Sequence, residues 1–259
     1  MSAATFIDLR AEAAAAALHI EGLDTLSPVE RQSAIGTWRA RMVNEYISAR
    51  VFAALVPQLM KAGAPSKRII EVSEFIAEEL RHGIQCASVV HALGGEAVAD
   101  LPPLPEVPQH PDAAPVEALL RNVLSISCLS ETVAVSLIGA ELKKAGPPGL
   151  QSTLKAIFAD EVGHARFGWA LLEEMAPTLD DATRARLDAY LIDAFRHLRE
   201  YELAHLPPFA APTDAVEAYG VCDGNAARAL FADTVCEVIV PRLEALGFGA
   251  AEAWQASHN

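Results

Sequence analysis

Two short motifs in this chain place a carboxylate and an imidazole one helical turn apart: Glu79-Leu80-Arg81-His82 and Glu161-Val162-Gly163-His164. Positions i and i+3 of an α-helix share a face, so each pair can offer an oxygen and a nitrogen to one cation. Alone, such a pair is commonplace and usually solvated. What sets these two apart is their distance from the turns. Glu45 stands 18 residues before Gly63, while Glu79 and His82 stand 16 and 19 after it. Glu131 stands 16 residues before Pro147, while Glu161 and His164 stand 14 and 17 after it. If Gly63 and Pro147 turn two antiparallel hairpins, equal distance means equal height, and each hairpin brings one more glutamate level with an ExxH pair. Glu45, Glu79, His82, Glu131, Glu161 and His164 would then form one site for two divalent cations. Mixed oxygen and imidazole ligands suit iron or manganese. Two such cations also neutralise four carboxylates that would be costly to bury alone. A third pair, Glu202 and His205, ends a helix before Pro207 and has no partner hairpin. Its imidazole is expected to serve the helix C-terminus.

The elements that must hold these residues are helices. The chain is rich in Ala, Leu and Glu, with helical periodicity interrupted by Pro and Gly. A short helix is expected over about Ala3 to Leu18. A long one starts at Ser27-Pro28-Val29-Glu30, a capping box with proline at the first helical position, and runs to about Lys61, with Pro57 expected to kink its last turns. Others are expected over about Ser66 to Leu93, Ala114 to Lys144, Leu150 to Glu174, Asp180 to His205 and Asn225 to Leu246, the last kinked at Pro241. The 18 residues from 96 to 113 hold five prolines and no helical period. Extended, they could span roughly 60 Å, more than the about 45 Å length of a 30-residue helix. They can therefore cross the whole bundle. The predicted fold is all-α: a four-helix bundle with one long crossover in a single domain, 1–259. Its core is about 28–175, with an extra N-terminal helix and C-terminal helices, about 178–246, packed on it. The predicted ligands lie on apolar stripes, with Cys86, Cys128, Ala49, Phe52, Ala134 and Val135 as candidate pocket residues.

A formal charge of −14 in 259 residues excludes nucleic acid, which needs a basic footprint, and anionic membrane surfaces. No uninterrupted apolar run reaches about 18 residues, and the N-terminal residues carry Asp8 and Arg10 where a secretory signal would be apolar. A cytoplasmic protein is expected. The four cysteines are widely spaced and read as reduced thiols.

At these motifs the sequence resembles the ferritin-like carboxylate-bridged di-iron superfamily, over about residues 28 to 175. The resemblance implies six ligands (the residues named above), two bridging glutamates, and an acid before each ExxH, Glu78 and Asp160, accepting a hydrogen bond from a ligand histidine. Glu78 to His82 is close to the DExRH form of bacterial multicomponent monooxygenases; Asp160 to His164 keeps the acid but lacks the Arg. Departures narrow the group. Cys86 stands where the small subunit of ribonucleotide reductase carries its radical tyrosine. No CxxC pair supports a rubrerythrin. Ile157 replaces the extra histidine of arylamine N-oxygenases. Cyanobacterial aldehyde-deformylating oxygenases share ligand set, size class and general spacing.

The function this implies is a di-iron oxidase or oxygenase using O2 on a small, apolar organic substrate. The cofactor would be two Fe ions, with Mn or a mixed Mn/Fe pair open. An external electron donor and a homodimer also stay open. The alternative is a bacterioferritin-like ferroxidase or a metal-storage or buffer protein. An acidic channel would favour that alternative; a closed apolar pocket ending at the metals would favour an oxygenase.

Overall fold

A computed structural model of the chain describes residues 6–104, 106–206 and 212–258. Strand β1 is Phe6–Asp8, followed by helix α1, Arg10–Ala15. Helix α2 spans Pro28–Lys61 and α3 spans Ser66–Ala92. Strand β2, Val98–Asp100, precedes α4, Pro115–Lys144. Then follow α5, Pro148–Met175, and α6, Asp181–His205. The short α7 is Asp214–Glu217, α8 covers residues 224–245, and α9 is Ala250–Ala256.

The starts and stops follow local chemistry. Ser27 Oγ accepts from the Glu30 amide at 3.3 Å while Glu30 Oε2 accepts from the Ser27 amide at 2.9 Å, the reciprocal pair that opens α2. At its other end Gly63 takes the left-handed conformation, φ 72°, and the Ala64 amide reaches back to Leu59 O at 2.9 Å. The helix continues through Pro57 to Lys61. Gly94, φ 83°, ends α3 in the same way.

Two hairpins result. In the first, Phe52 packs on Phe75 and Glu45 faces His82, so one helix rises as the other falls. In the second, Gly139 lies against Phe158 and Gly168 against Ser127. Residues 93–114 cross between the hairpins. The apolar core is divided. One cluster includes Phe52, Phe75 and Phe167 with Phe195 and Phe231 from the C-terminal helices. The other includes Met42, Cys86 and Ile157 with Trp38 and Tyr219. On α2, α3 and α5, the acidic and histidine positions fall in the gap between these clusters.

Four features differ from these expectations or add to them. The N-terminal segment is not one helix from Ala3 to Leu18. Residues 3–5 lie outside the described residues, and Phe6–Asp8 pairs antiparallel with Val98–Asp100, burying Ile7 between exposed Phe6 and Asp8. That two-residue period belongs to a strand, and the pairing clamps the start of the crossover. Second, α4 contains a π-helical turn, Leu124–Ser130, and α8 another, Val235–Ile239. The second stands just before Pro241, whose missing N–H makes a wider turn cheap there. Third, α2 stays helical through Pro57 to Lys61. Fourth, although no uninterrupted apolar run is long, α4 is by mean hydropathy long and apolar enough to cross a membrane; it carries Glu131 and packs within the bundle. The expected break at Pro207 and Pro208 lies outside the described residues.

Candidate metal centre

All six predicted ligands meet at mid-height in the bundle. Two groups form, Glu45 with Glu79, His82 and Glu161, and Glu131 with Glu79, Glu161 and His164. In each group, one candidate ligand atom per residue lies within 4.8 Å of the others. Glu79 and Glu161 belong to both groups. His82 Nδ1 faces Glu161 Oε1 at 3.5 Å, Glu45 Oε2 at 3.6 Å and Glu79 Oε2 at 3.9 Å. His164 Nδ1 lies 3.1 Å from Glu79 Oε1 and 3.1 Å from Glu161 Oε2. The two rings are 6.1 Å apart.

The outer ring nitrogens are held by acids from the opposite hairpin. His82 Nε2 donates to Asp160 Oδ2 at 3.1 Å, and His164 Nε2 donates to Glu78 Oε2 at 2.9 Å. With Nε2 committed outward, Nδ1 is the nitrogen turned inward, and once deprotonated it would offer its lone pair to a metal. Arg81 tethers Glu78 at 3.6 Å. Phe75 and Phe52 flank the His164 ring at 4.4 and 5.1 Å.

Burial makes this cluster electrostatically strained as protein alone. Glu79 is 1% exposed and His164 0%. Both Glu79 oxygens and His82 Nδ1 are buried without hydrogen-bond partners among the described residues, an expensive arrangement. Burial, then the neighbouring carboxylates led by Glu161, push Glu79 and Glu131 well above the usual carboxylate range. Burial opposes charge on the imidazoles, but the acids around them win. Glu161 and Glu45 raise His82 to about 11, and Glu161 raises His164 to about 9. Glu161 is itself held low despite its burial, through His164 and His82. A pair of divalent cations supplies what the orphaned oxygens and inward nitrogens lack, so the residues fit a dimetal centre.

Local geometry aims Glu131, the candidate ligand on α4. The π turn ends at Ser130, immediately before Glu131. Gly168 of α5 makes room for it: a Cβ there would meet Ser127 Cβ at 2.4 Å and Cys128 N at 3.1 Å.

The pocket prediction holds only in part. A cavity of about 920 Å³ lies between α2, α4 and the C-terminal segments, and reaches Glu45, Glu79, Glu131 and Glu161. Of the six pocket candidates, Ala134 lines it. Ala49, Phe52, Cys86 and Cys128 are instead buried in side-chain packing, and Val135 is half-buried away from the cavity wall. The reason is that the cavity opens on the α2–α4 side, under α6 and α8, and not along the bundle axis. Cys86 still touches the centre, its thiol 3.9 Å from Glu45 Oε1; burial and Glu45 push that thiol well above its ordinary range. His205 Nδ1 donates to Tyr201 O at 2.7 Å, serving the end of α6 as expected. It also lines the cavity, with Tyr201 and Glu202. Sequence reasoning missed Arg41, Glu141 and Tyr201 on this wall. Glu141 could have been found, since it shares the stripe of Glu131, Ala134 and Ile138 at helical spacing.

No family model matches the chain, and no curated protein matches it. Among solved structures, it is similar to "Protein 19 with aldehyde deformylating oxidase activity" from Synechococcus. The two share 20% identity and a TM-score of 0.60, over 89% of this chain and 96% of that one. The likeness shows the fold: a predominantly helical, ferritin-like bundle.

Proposed function

We propose that this protein is a di-iron oxidase or oxygenase, using O2 to oxidise a small organic molecule held in the cavity. One observation carries the reading: the cavity ends on Glu45, Glu79, Glu131 and Glu161, four of the six residues that would hold the metals. The similarity to a protein with aldehyde-deformylating oxidase activity supports the same class of chemistry.

Glu45, His82, Glu79 and Glu161 would hold one ion, and Glu131, His164, Glu79 and Glu161 the other, with Glu79 and Glu161 shared. Bound iron would supply the electrons and open coordination positions needed to reduce O2, which no side chain here can do. The chain does the rest. Asp160 and Glu78 hold the imidazoles in one tautomer. Phe52 and Phe75 exclude water from the His164 side. Ala134 is small and Ile157 apolar beside the acids, so the substrate side stays open and dry. Tyr201, whose hydroxyl is raised first by burial and then by Glu202 and Glu131, stays a proton donor on the same wall.

The ferroxidase reading needs acids that can pass ions, and the cavity wall does carry acids. Away from the centre most are already engaged: Glu30 by Ser27 and Thr213, Glu141 by Arg41, Glu217 by Lys144, and Asp223 by two amides of α8. They serve the fold and do not form a free ladder. The test is to load the anaerobic protein with Fe(II), measure iron per chain, and follow O2 uptake. Near two iron per chain with rapid O2 uptake and no mineral accumulating is expected. Hundreds of iron atoms retained per assembly would overturn the reading in favour of storage, and no bound iron would sink both.

A further inference from the structure

We propose that the cavity takes an amphipathic organic cation, a protonated amine on an apolar stem. Its ammonium group would rest on Glu141 while its stem runs along α4 to the carboxylate centre. The proposal builds on the oxidase reading and names the substrate class of that same site. Glu141 lines the cavity with its side chain 12% exposed. One of its oxygens is bound by the Arg41 guanidinium. The other, Oε2, is buried with no well-aligned hydrogen bond among the described residues, the weakly polar Cys222 thiol on the same wall lying close to this carboxylate. A bare buried carboxylate oxygen is costly, and the cavity it lines is where a donor can be supplied.

The neighbours set the sign of that donor. Arg41 is already committed, to Glu141, to Gly220 O at 3.3 Å and over the Trp38 ring at 4.6 Å. An anionic head group would have to displace those contacts and would meet the Glu141 carboxylate. An ammonium group can bind Oε2 and leave them intact, as a charge-assisted hydrogen bond. The other cation on this wall, Lys144, is spent on Glu217.

The spacing sets the stem. Glu141 and Glu131 stand ten residues apart on one helix, about 15 Å of rise. The side chains that α4 turns to the cavity between them include Ala134, Leu137 and Ile138, all apolar. A flexible apolar stem anchored at Glu141 lies along this wall with its far end directed at the metal ligands. A compact polar amine would leave this wall wet and gain little.

The experiment is calorimetric titration of the full chain, loaded with redox-inert Zn(II), with n-octylamine hydrochloride, n-octanol and sodium octanoate at pH 7. Octylammonium is expected to bind at least ~10-fold more tightly than octanol, with octanoate weakest. Glu141→Gln leaves Arg41 positive and uncompensated, and is expected to reverse the order of amine and carboxylate. Octanol or octanoate binding as tightly as the amine would overturn the proposal, as would an amine preference that survives in Glu141→Gln. Should that variant not fold, Leu137→Phe narrows the passage without touching charge. It is expected to weaken octylammonium ~10-fold or more, and unchanged affinity would overturn the stem's path. Zinc content is measured on the same samples. Near two per chain without amine preference sinks the substrate class alone, whereas a chain that binds no metal sinks the oxidase reading with it.

Discussion

The imidazole of His82 on α3 donates through Nε2 to Asp160 on α5, 3.1 Å away, and the converse bond runs from His164 on α5 to Glu78 on α3. Each acid therefore orients the histidine of the other hairpin, not its own. The centre is latched crosswise, so a ligand displaced on one hairpin loosens the tautomer control of the other.

Asp160→Ala and Glu78→Ala should each weaken metal binding by about 10–100-fold, the usual effect of losing an acid behind a ligand histidine. Both acids are partly exposed, so the metal-free fold should change little. Competition titration with a chromogenic chelator measures the affinity and thermal denaturation the fold. Wild-type affinity in both variants would refute the latch.

The shared carboxylates and the outer ones should differ in stoichiometry. Glu161→Ala removes a member of both groups and should abolish binding of both ions, while Glu45→Ala should leave one per chain. In the metal-free protein, Glu79→Gln removes a carboxyl whose two oxygens are orphaned, so its melting temperature should equal or exceed the wild type's. Addition of metal should then stabilise it far less than the wild type. A Glu161→Ala variant that still carries two ions would show the assignment of shared ligands to be wrong.

Metal binding should release protons. With His82 raised to about 11 and His164 to about 9 by the acids around them, both imidazoles of the metal-free centre are protonated at neutral pH, and burial makes Glu79 and Glu131 hold protons more tightly than ordinary carboxylates. The imidazoles must lose those protons to bind. For the metal-free protein, a folded pKa above the unfolded value near 6.5 means stabilisation fully present below pH 6.5. It is lost as pH rises through 9 and then 11. Metal affinity moves the other way and should increase with pH. Adding Zn(II) to a weakly buffered solution at pH 7 with a pH indicator measures the release; no acidification would contradict the protonated centre.

Gly168→Ala should displace Glu131 without touching it. The new Cβ would sit 2.4 Å from Ser127 Cβ and 3.0 Å from Ser127 carbonyl carbon, both in the π turn. Relief requires the turn to move, costing about 1–3 kcal/mol and shifting Glu131, which follows it directly. Denaturant melts should record the lost stability, and metal analysis should show loss of one ion before the other. Full occupancy with an unchanged melt would mean that the turn does not position Glu131.

The sequence alone determined which six residues meet and at what height. A helix ties position to face every 3.6 residues and to height at 1.5 Å per residue, so two turns at Gly63 and Pro147 sufficed to level Glu45 with Glu79 and His82, and Glu131 with Glu161 and His164. The tertiary structure decided what depends on rotation and contact between helices. That Asp160 serves His82, that Glu79 and Glu161 are shared, and that the cavity opens on the α2–α4 face all follow from how four helices turn toward one another, which no spacing along one helix encodes. The strand at Phe6–Asp8 became one only because Val98–Asp100 lies beside it, since three residues have no strand without a partner. The placement of α6 and α8 over Glu141 likewise depends on apolar side chains such as Phe195 and Phe231 finding partners far away in the chain, a choice made by packing and not by local pattern.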